Sequence, residues 1–137
     1  MKRVNMGFTL IEVMIAAVIV VILASVAYPS YIAFLAKAAR SEAQTELVRI
    51  ANLQEQYFND HRTYTTNLSN LVGGAAATFT TENGFYTIAA AAVTDIKVDY
   101  KLTATAAGVQ ATRDSKCATL TLTNLGEKSG ASSDCWG

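Results

Sequence analysis

The chain has 137 residues, about half of them hydrophobic, and its eleven basic side chains balance eleven acidic ones. That length suits one domain, alone or behind an anchoring element, and the balanced charge gives no overall field to recruit nucleic acid. Two cysteines and a single histidine, His61, argue against zinc, iron–sulfur and most nucleophile–histidine chemistry, so no metal or cofactor is expected.

After the opening "MKRVNMG", no charged side chain occurs from Val13 to Ala36, a run of 24 residues. A helix needs roughly 20 to cross a bilayer core. The "VIVVI" at 18–22 could be a buried strand, but strands seldom exceed about ten residues. Nine Val, Ile or Leu residues between Val13 and Tyr28 contribute roughly −3 to −5 kcal/mol toward insertion, against about +3 for one central acidic residue. Insertion therefore survives Glu12, which lies near the end of the apolar run, but an intramembrane carboxylate needs a partner. A secretory signal is a competing reading: "MKR" opens it, and Ala36-Lys37-Ala38 offers a small-residue cut site. Cleavage there would release a soluble domain beginning at Ala39.

The arrangement ahead of the apolar run is more specific. Gly7, Phe8, Thr9, Leu10, Ile11 and Glu12 resemble the prepilin motif of type IV pilins and of the related pseudopilins of type II secretion. The resemblance implies a leader peptide of residues 1–7, cleavage between Gly7 and Phe8 by a prepilin peptidase, and N-methylation of Phe8. It also implies a hydrophobic transmembrane and assembly helix over 8–36, a helix kink at Pro29, and a subunit-assembly role for Glu12. Lys2 and Arg3 precede the apolar run while Lys37 and Arg40 follow it, so charge alone leaves the orientation close to a tie. A cytoplasmic leader rests on the resemblance.

Within the family reading, Glu12 has a physical role. Four residues separate it from Phe8, about 6 Å along a helix, so the mature amine and the carboxylate lie at different depths. Axially staggered neighbours in a fibre can pair one subunit's Glu12 with another's Phe8 ammonium. A paired charge in an apolar bundle is tolerated where a lone one is costly. The plainer alternative is that an acidic residue merely suits the positive end of a helix at its start.

Between Phe8 and Leu71 there is no glycine, and Pro29 is the one proline. One helix could run to about Asp60, roughly 80 Å at 1.5 Å per residue, bent where Pro29 removes a backbone donor. Beyond Ala36 the pattern turns amphipathic, with Ala43, Leu47, Ile50, Ala51, Tyr57 and Phe58 near helical spacing. That half should pack on a globular head over 37–137.

Residues 59–84 read as a polar connector broken at Gly73-Gly74. Tyr57, Phe58 and Tyr64 read as core, with ligand binding the alternative, and His61 as a surface residue. Asn67-Leu68-Ser69 fits a glycosylation triplet to which no function is assigned. Strands are expected at 84–93, 96–105 and 117–123, the last two by alternation, and they suit an antiparallel sheet with one face on the helix.

Cys117 and Cys135 suit one disulfide in an oxidising compartment, closing a Gly-, Ser- and Asp-rich tail. They lack the C-x-x-C spacing of redox motifs. This tail resembles the C-terminal disulfide-bounded loop of type IV pilins, and the final "CW" is similar to PilE-type minor pilins of type IVa. Pseudopilins commonly order this region with calcium instead.

The expected fold is α+β, the type IV pilin fold: a long N-terminal helix, its first half transmembrane, packed on a small antiparallel sheet. The implied function is a structural, minor subunit of a type IV pilus, with no enzymatic activity. Its implied partners are other pilin subunits, the prepilin peptidase and methyltransferase, and the inner-membrane assembly machinery. Its implied location is the bacterial inner membrane with the head in the periplasm, then the extracellular pilus. A type II secretion pseudopilin is the near alternative, and a secreted enzyme or binding domain the distant one. From Asp95 onward five basic residues meet five acidic ones with no basic stripe, so direct nucleic-acid binding is not expected.

Overall fold

The computed structural model describes residues 7–137; Lys2, Arg3 and the rest of 1–6 lie outside the described residues. The chain divides into two compact units, the first ending at Phe34 and the second running from Leu35 to Gly137. Helix α1, Leu10–His61, runs through both.

In the first unit α1 starts from Thr9, whose hydroxyl and carbonyl both accept from the Glu12 N–H, at 3.3 and 3.1 Å. A threonine ahead of the first turn holds a backbone donor that the helix itself cannot pair. The side chains from Phe8 to Tyr31 are all exposed, Val21 at 68% and Leu23 at 64%. An apolar helix exposed on every side lacks the polar face a surface helix needs.

In the second unit the helix pattern narrows to one buried stripe, Ala36, Ala39, Ala43, Leu47, Ile50 and Gln54. Helix α2 (Ser69–Val72) follows, then strands β1 (Phe79–Thr80), β2 (Tyr86–Ala91) and β3 (Lys101–Ala106). A short helix α3 (Val109–Arg113) precedes β4 (Thr119–Thr123) and β5 (Lys128–Gly130). The five strands form one antiparallel sheet in chain order. Register pairs Ala90 with Leu102, Leu102 with Leu122 and Leu122 with Lys128. Ile88, Leu102, Ala104, Leu120 and Leu122 thus lie on one face and form a common core with the helix stripe. The alternation of period two sends Thr103, Thr105, Thr119 and Thr121 to the other face.

Several boundaries move. The helix ends one residue later than Asp60, where Arg62 takes φ +58° and its N–H bonds the Phe58 carbonyl at 2.8 Å. The strand expected at 96–105 starts only at Lys101. Asp99 explains this: its carboxylate accepts from the N–H groups of Val93 and Thr94, at 2.8 and 2.9 Å, and from the Thr94 hydroxyl. Those bonds tie 93–99 into a loop, and the Thr94 bonds hold the Asp99 carboxyl below its ordinary pKa. Cys117 closes a 3₁₀ turn, Ser115–Cys117, rather than opening β4. The polar connector carries α2 and β1, both too short for periodicity to register.

Candidate functional site

The motif at the start of the chain consists of Gly7, Phe8 and Glu12. Gly7 and Phe8 precede the helix and are exposed, Phe8 at 83%. Glu12 stands in the first turn of α1, where the acidic side chain complements the N–H groups left unpaired at a helix start. Thr9-x-x-Glu12 is also the spacing of a capping box, and its threonine half is formed. The plainer reading of Glu12 therefore has a local basis. The ion pairs among the described residues are Arg40–Asp114 and Arg49–Glu46, so the Glu12 carboxylate has no cationic partner within them.

Pro29 lies inside α1. With no N–H, it leaves the Ser25 carbonyl without its usual donor four residues on. The helix is long and apolar enough at its N-terminal end to cross a membrane.

The other predicted feature, the cysteine pair, is formed: Cys117 and Cys135 are bonded, with Cα atoms 5.4 Å apart. The tail it closes is anchored to the helix of the head. Gln44 Nε2 donates to the Cys135 carbonyl at 2.6 Å and Arg40 Nη1 to that of Asp134 at 3.4 Å. Trp136 Nε1 donates to Ser129 O at 2.8 Å, and the Lys128 ammonium sits 5.3 Å from the Trp136 ring centre.

Beside this tail lies a buried polar junction that pattern reading did not find. Arg40 donates through Nε and Nη2 to the two oxygens of Asp114, at 2.9 and 2.7 Å, a bidentate pair. The Asp114 hydrogen bond holds the Arg40 pKa above its ordinary value although burial opposes this. Gln110 Nε2 donates to the Ala36 carbonyl at 3.0 Å, and the Tyr86 hydroxyl to the Cys117 carbonyl at 3.3 Å. Seventy-four residues separate Arg40 from Asp114, a distance at which spacing carries no signal. At the other end of the head, Gln54 is fully buried and exchanges two bonds with the Thr65 backbone, at 2.6 and 3.0 Å.

The aromatics divide. Tyr64 stacks with Phe58 and meets Tyr100 edge-on, at centroid distances of 4.8 and 4.7 Å, in keeping with core. Tyr57 instead stacks on exposed His61, at 4.0 Å and 11° between planes. The triplet asparagine Asn67 accepts from both the N–H and the hydroxyl of Ser69, at 3.1 and 2.8 Å, a turn geometry that gives the motif a local structural use.

Comparison with known proteins gives two adjoining family-model matches. Residues 6–28 match a family model described as the prokaryotic N-terminal methylation motif. Residues 29–121 match one described as type IV minor pilin ComP, DNA uptake sequence receptor. Fimbrial protein EcpC of Eikenella corrodens is 36% identical over 115 residues, covering 80% of this chain and 72% of that protein. Type IV major pilin protein PilA of Myxococcus xanthus is 41% identical over 71 residues, 52% of this chain and 32% of that one. Type II secretion system core protein G of Aeromonas hydrophila is 37% identical over 70 residues, 51% of this chain and 49% of that one. The chain thus spans a third of PilA and half of core protein G.

Proposed function

The chain belongs to the type IV pilin family, matched over most of its length by the ComP-type minor-pilin model, and we propose that it is a minor structural subunit of a type IV pilus that polymerises through its N-terminal helix. The observation that carries this is Gly7-Phe8 directly ahead of, and Glu12 in the first turn of, an apolar helix exposed on every side. Such a surface must be covered by lipid before assembly and by other helices after it. Cleavage between Gly7 and Phe8 by a prepilin peptidase exposes the Phe8 amine, which becomes methylated. The subunit waits in the inner membrane with its head in the periplasm, then passes into the extracellular fibre, where Glu12 pairs with a neighbour's Phe8 ammonium and sets the register. Pro29 supplies the bend that lets apolar halves bundle. Cutting, methylation and extension fall to other proteins, and the chain itself has no catalytic role.

Secretory cleavage after Ala38 has a structural argument against it. It would cut within α1 and remove Ala36, which is buried and whose carbonyl takes the Gln110 bond. The pseudopilin reading shares the N-terminal motif and has the likeness to core protein G behind it. Immunoblotting of sheared surface fibres against purified type II secretion complexes separates the two: recovery in fibres supports the pilus subunit, and recovery in secretion complexes alone overturns it.

A second reading, that the head also receives DNA, has the description of the matched family model behind it. From Leu35 onward nine basic residues stand against ten acidic ones, and Arg40 and Arg49 already face Asp114 and Glu46. A salt titration with duplex DNA tests it, because phosphate contacts must weaken as salt rises; no binding at low salt dismisses a direct role.

A further inference from the structure

At the end of the head where α1 stops, the last turns of the helix and helix α2 border an open surface groove of about 450 Å³, large enough for one sugar ring. Gln56, Tyr57, Asp60 and His61 line it along one helical stripe, with Asn70 opposite and Leu53 and Leu71 completing the walls. We infer that this groove binds a single neutral pyranose unit of a carbohydrate.

A sugar ring offers a carbon-bound face that packs on an aromatic ring and hydroxyls that both donate and accept. The groove supplies both halves. The Tyr57–His61 stack commits one face of each ring to the other, at 4.0 Å, and fixes the pair as a rigid aromatic wall. His61 Nδ1–H donates to the Tyr57 carbonyl at 3.1 Å; since a carbonyl only accepts, this bond puts the proton of a neutral ring on Nδ1 and leaves Nε2 as an acceptor. Asn70 commits one amide N–H to Thr65 Oγ1 at 3.2 Å, leaving its second N–H and its carbonyl oxygen to meet a hydroxyl. Gln56 and Asp60 are exposed and add an amide that donates and accepts and a carboxylate that accepts. The groove thus offers both acceptors and donors to hydroxyls that donate and accept. The same Asp60 carboxylate repels phosphates, which disfavours a nucleotide in the groove.

The chain has one histidine, so the imidazole signals of His61 report on this groove alone. The test is NMR of the full chain in a zwitterionic detergent without a sugar head group, titrated with methyl β-glucopyranoside, methyl α-mannopyranoside and N-acetylglucosamine. Saturable movement of the His61 signals by at least one of them, with a dissociation constant in about the millimolar range, is the expected result. Asp60→Asn, on an exposed side chain, should weaken that binding about tenfold, and Tyr57→Leu more. No saturable movement with any of the three sugars overturns the inference. So does unchanged affinity in both variants, or a response confined to a thymidine oligonucleotide.

Discussion

The helical stretch up to Phe34 and the head from Leu35 onward apply the hydrophobic effect in opposite ways. In the head, the apolar stripe of α1 is buried within the chain's own fold, with Ala43, Leu47 and Ile50 entirely covered. In the first unit, Val20, Val21 and Ile22 are each at least 60% exposed, and nothing among the described residues covers them. A surface of that kind is completed only by lipid or other molecules. The head contains the information to fold, and in the proposed pilus subunit the first unit contains the information to assemble. Substitutions should therefore sort into two classes with little overlap, and each of the following would break that division if it crossed over.

The largest effect on assembly is expected at Glu12. Removing one member of a buried ion pair leaves the other unpaired at about 3 kcal/mol, so Glu12→Ala should lower incorporation into sheared fibres roughly a hundredfold, the same energy as a ratio. Cleavage at Gly7, membrane insertion and the melting temperature of the head should not change. Normal incorporation would reduce Glu12 to its helix-start role, for which the Thr9 cap already gives a basis.

Leu47→Ala is the counterpart in the head. Its side chain is fully buried, and the lost packing with the cavity left behind should cost about 2–5 kcal/mol, read by denaturant unfolding. Val21→Ala in the first unit should leave the same unfolding curve in place. Reducing Cys117–Cys135, or Cys135→Ser, should cost about 2–4 kcal/mol and release the tail from Gln44 and Arg40. Protease sensitivity near 128–137 measures that release.

The smallest effect is in alkali. Burial pushes the phenols of Tyr64, Tyr86 and Tyr100 up, whereas tyrosines of the unfolded chain ionise near pH 10. The unfolded state therefore gives up these protons first. Stability from the three phenols is whole below about pH 10 and declines as pH climbs toward the raised folded values. Unfolding midpoints at neutral pH and above about pH 10 show this, and Tyr100→Phe should flatten the decline.

What the sequence revealed follows the same division. The apolar helix and the motif at its start were legible because their signal is local: an unbroken apolar run, one glycine, one acidic residue at fixed spacing. The amphipathic stripe and the alternating Thr and Leu of β4 were legible for the same reason. The onset of β3 was not, because Asp99 reaches back to Val93 and Thr94 and shortens an alternation that otherwise continues. Nor was the Arg40–Asp114 pair, whose members meet only after the sheet has formed. His61 is exposed, as expected; its stack on Tyr57 has the i, i+4 spacing of helical neighbours, a pairing that spacing also allows. In β5, Lys-Ser-Gly carries no strand preference; pairing with β4 across the Gly126 turn at φ +79° makes it a strand.

The most direct test of the division is the intact mass and N-terminal sequence of the chain recovered from sheared native fibres. A subunit beginning at methylated Phe8 and retaining its disulfide is the predicted result. A chain beginning near Ala39, or a Phe8 form confined to membranes while fibres are being made, would contradict it.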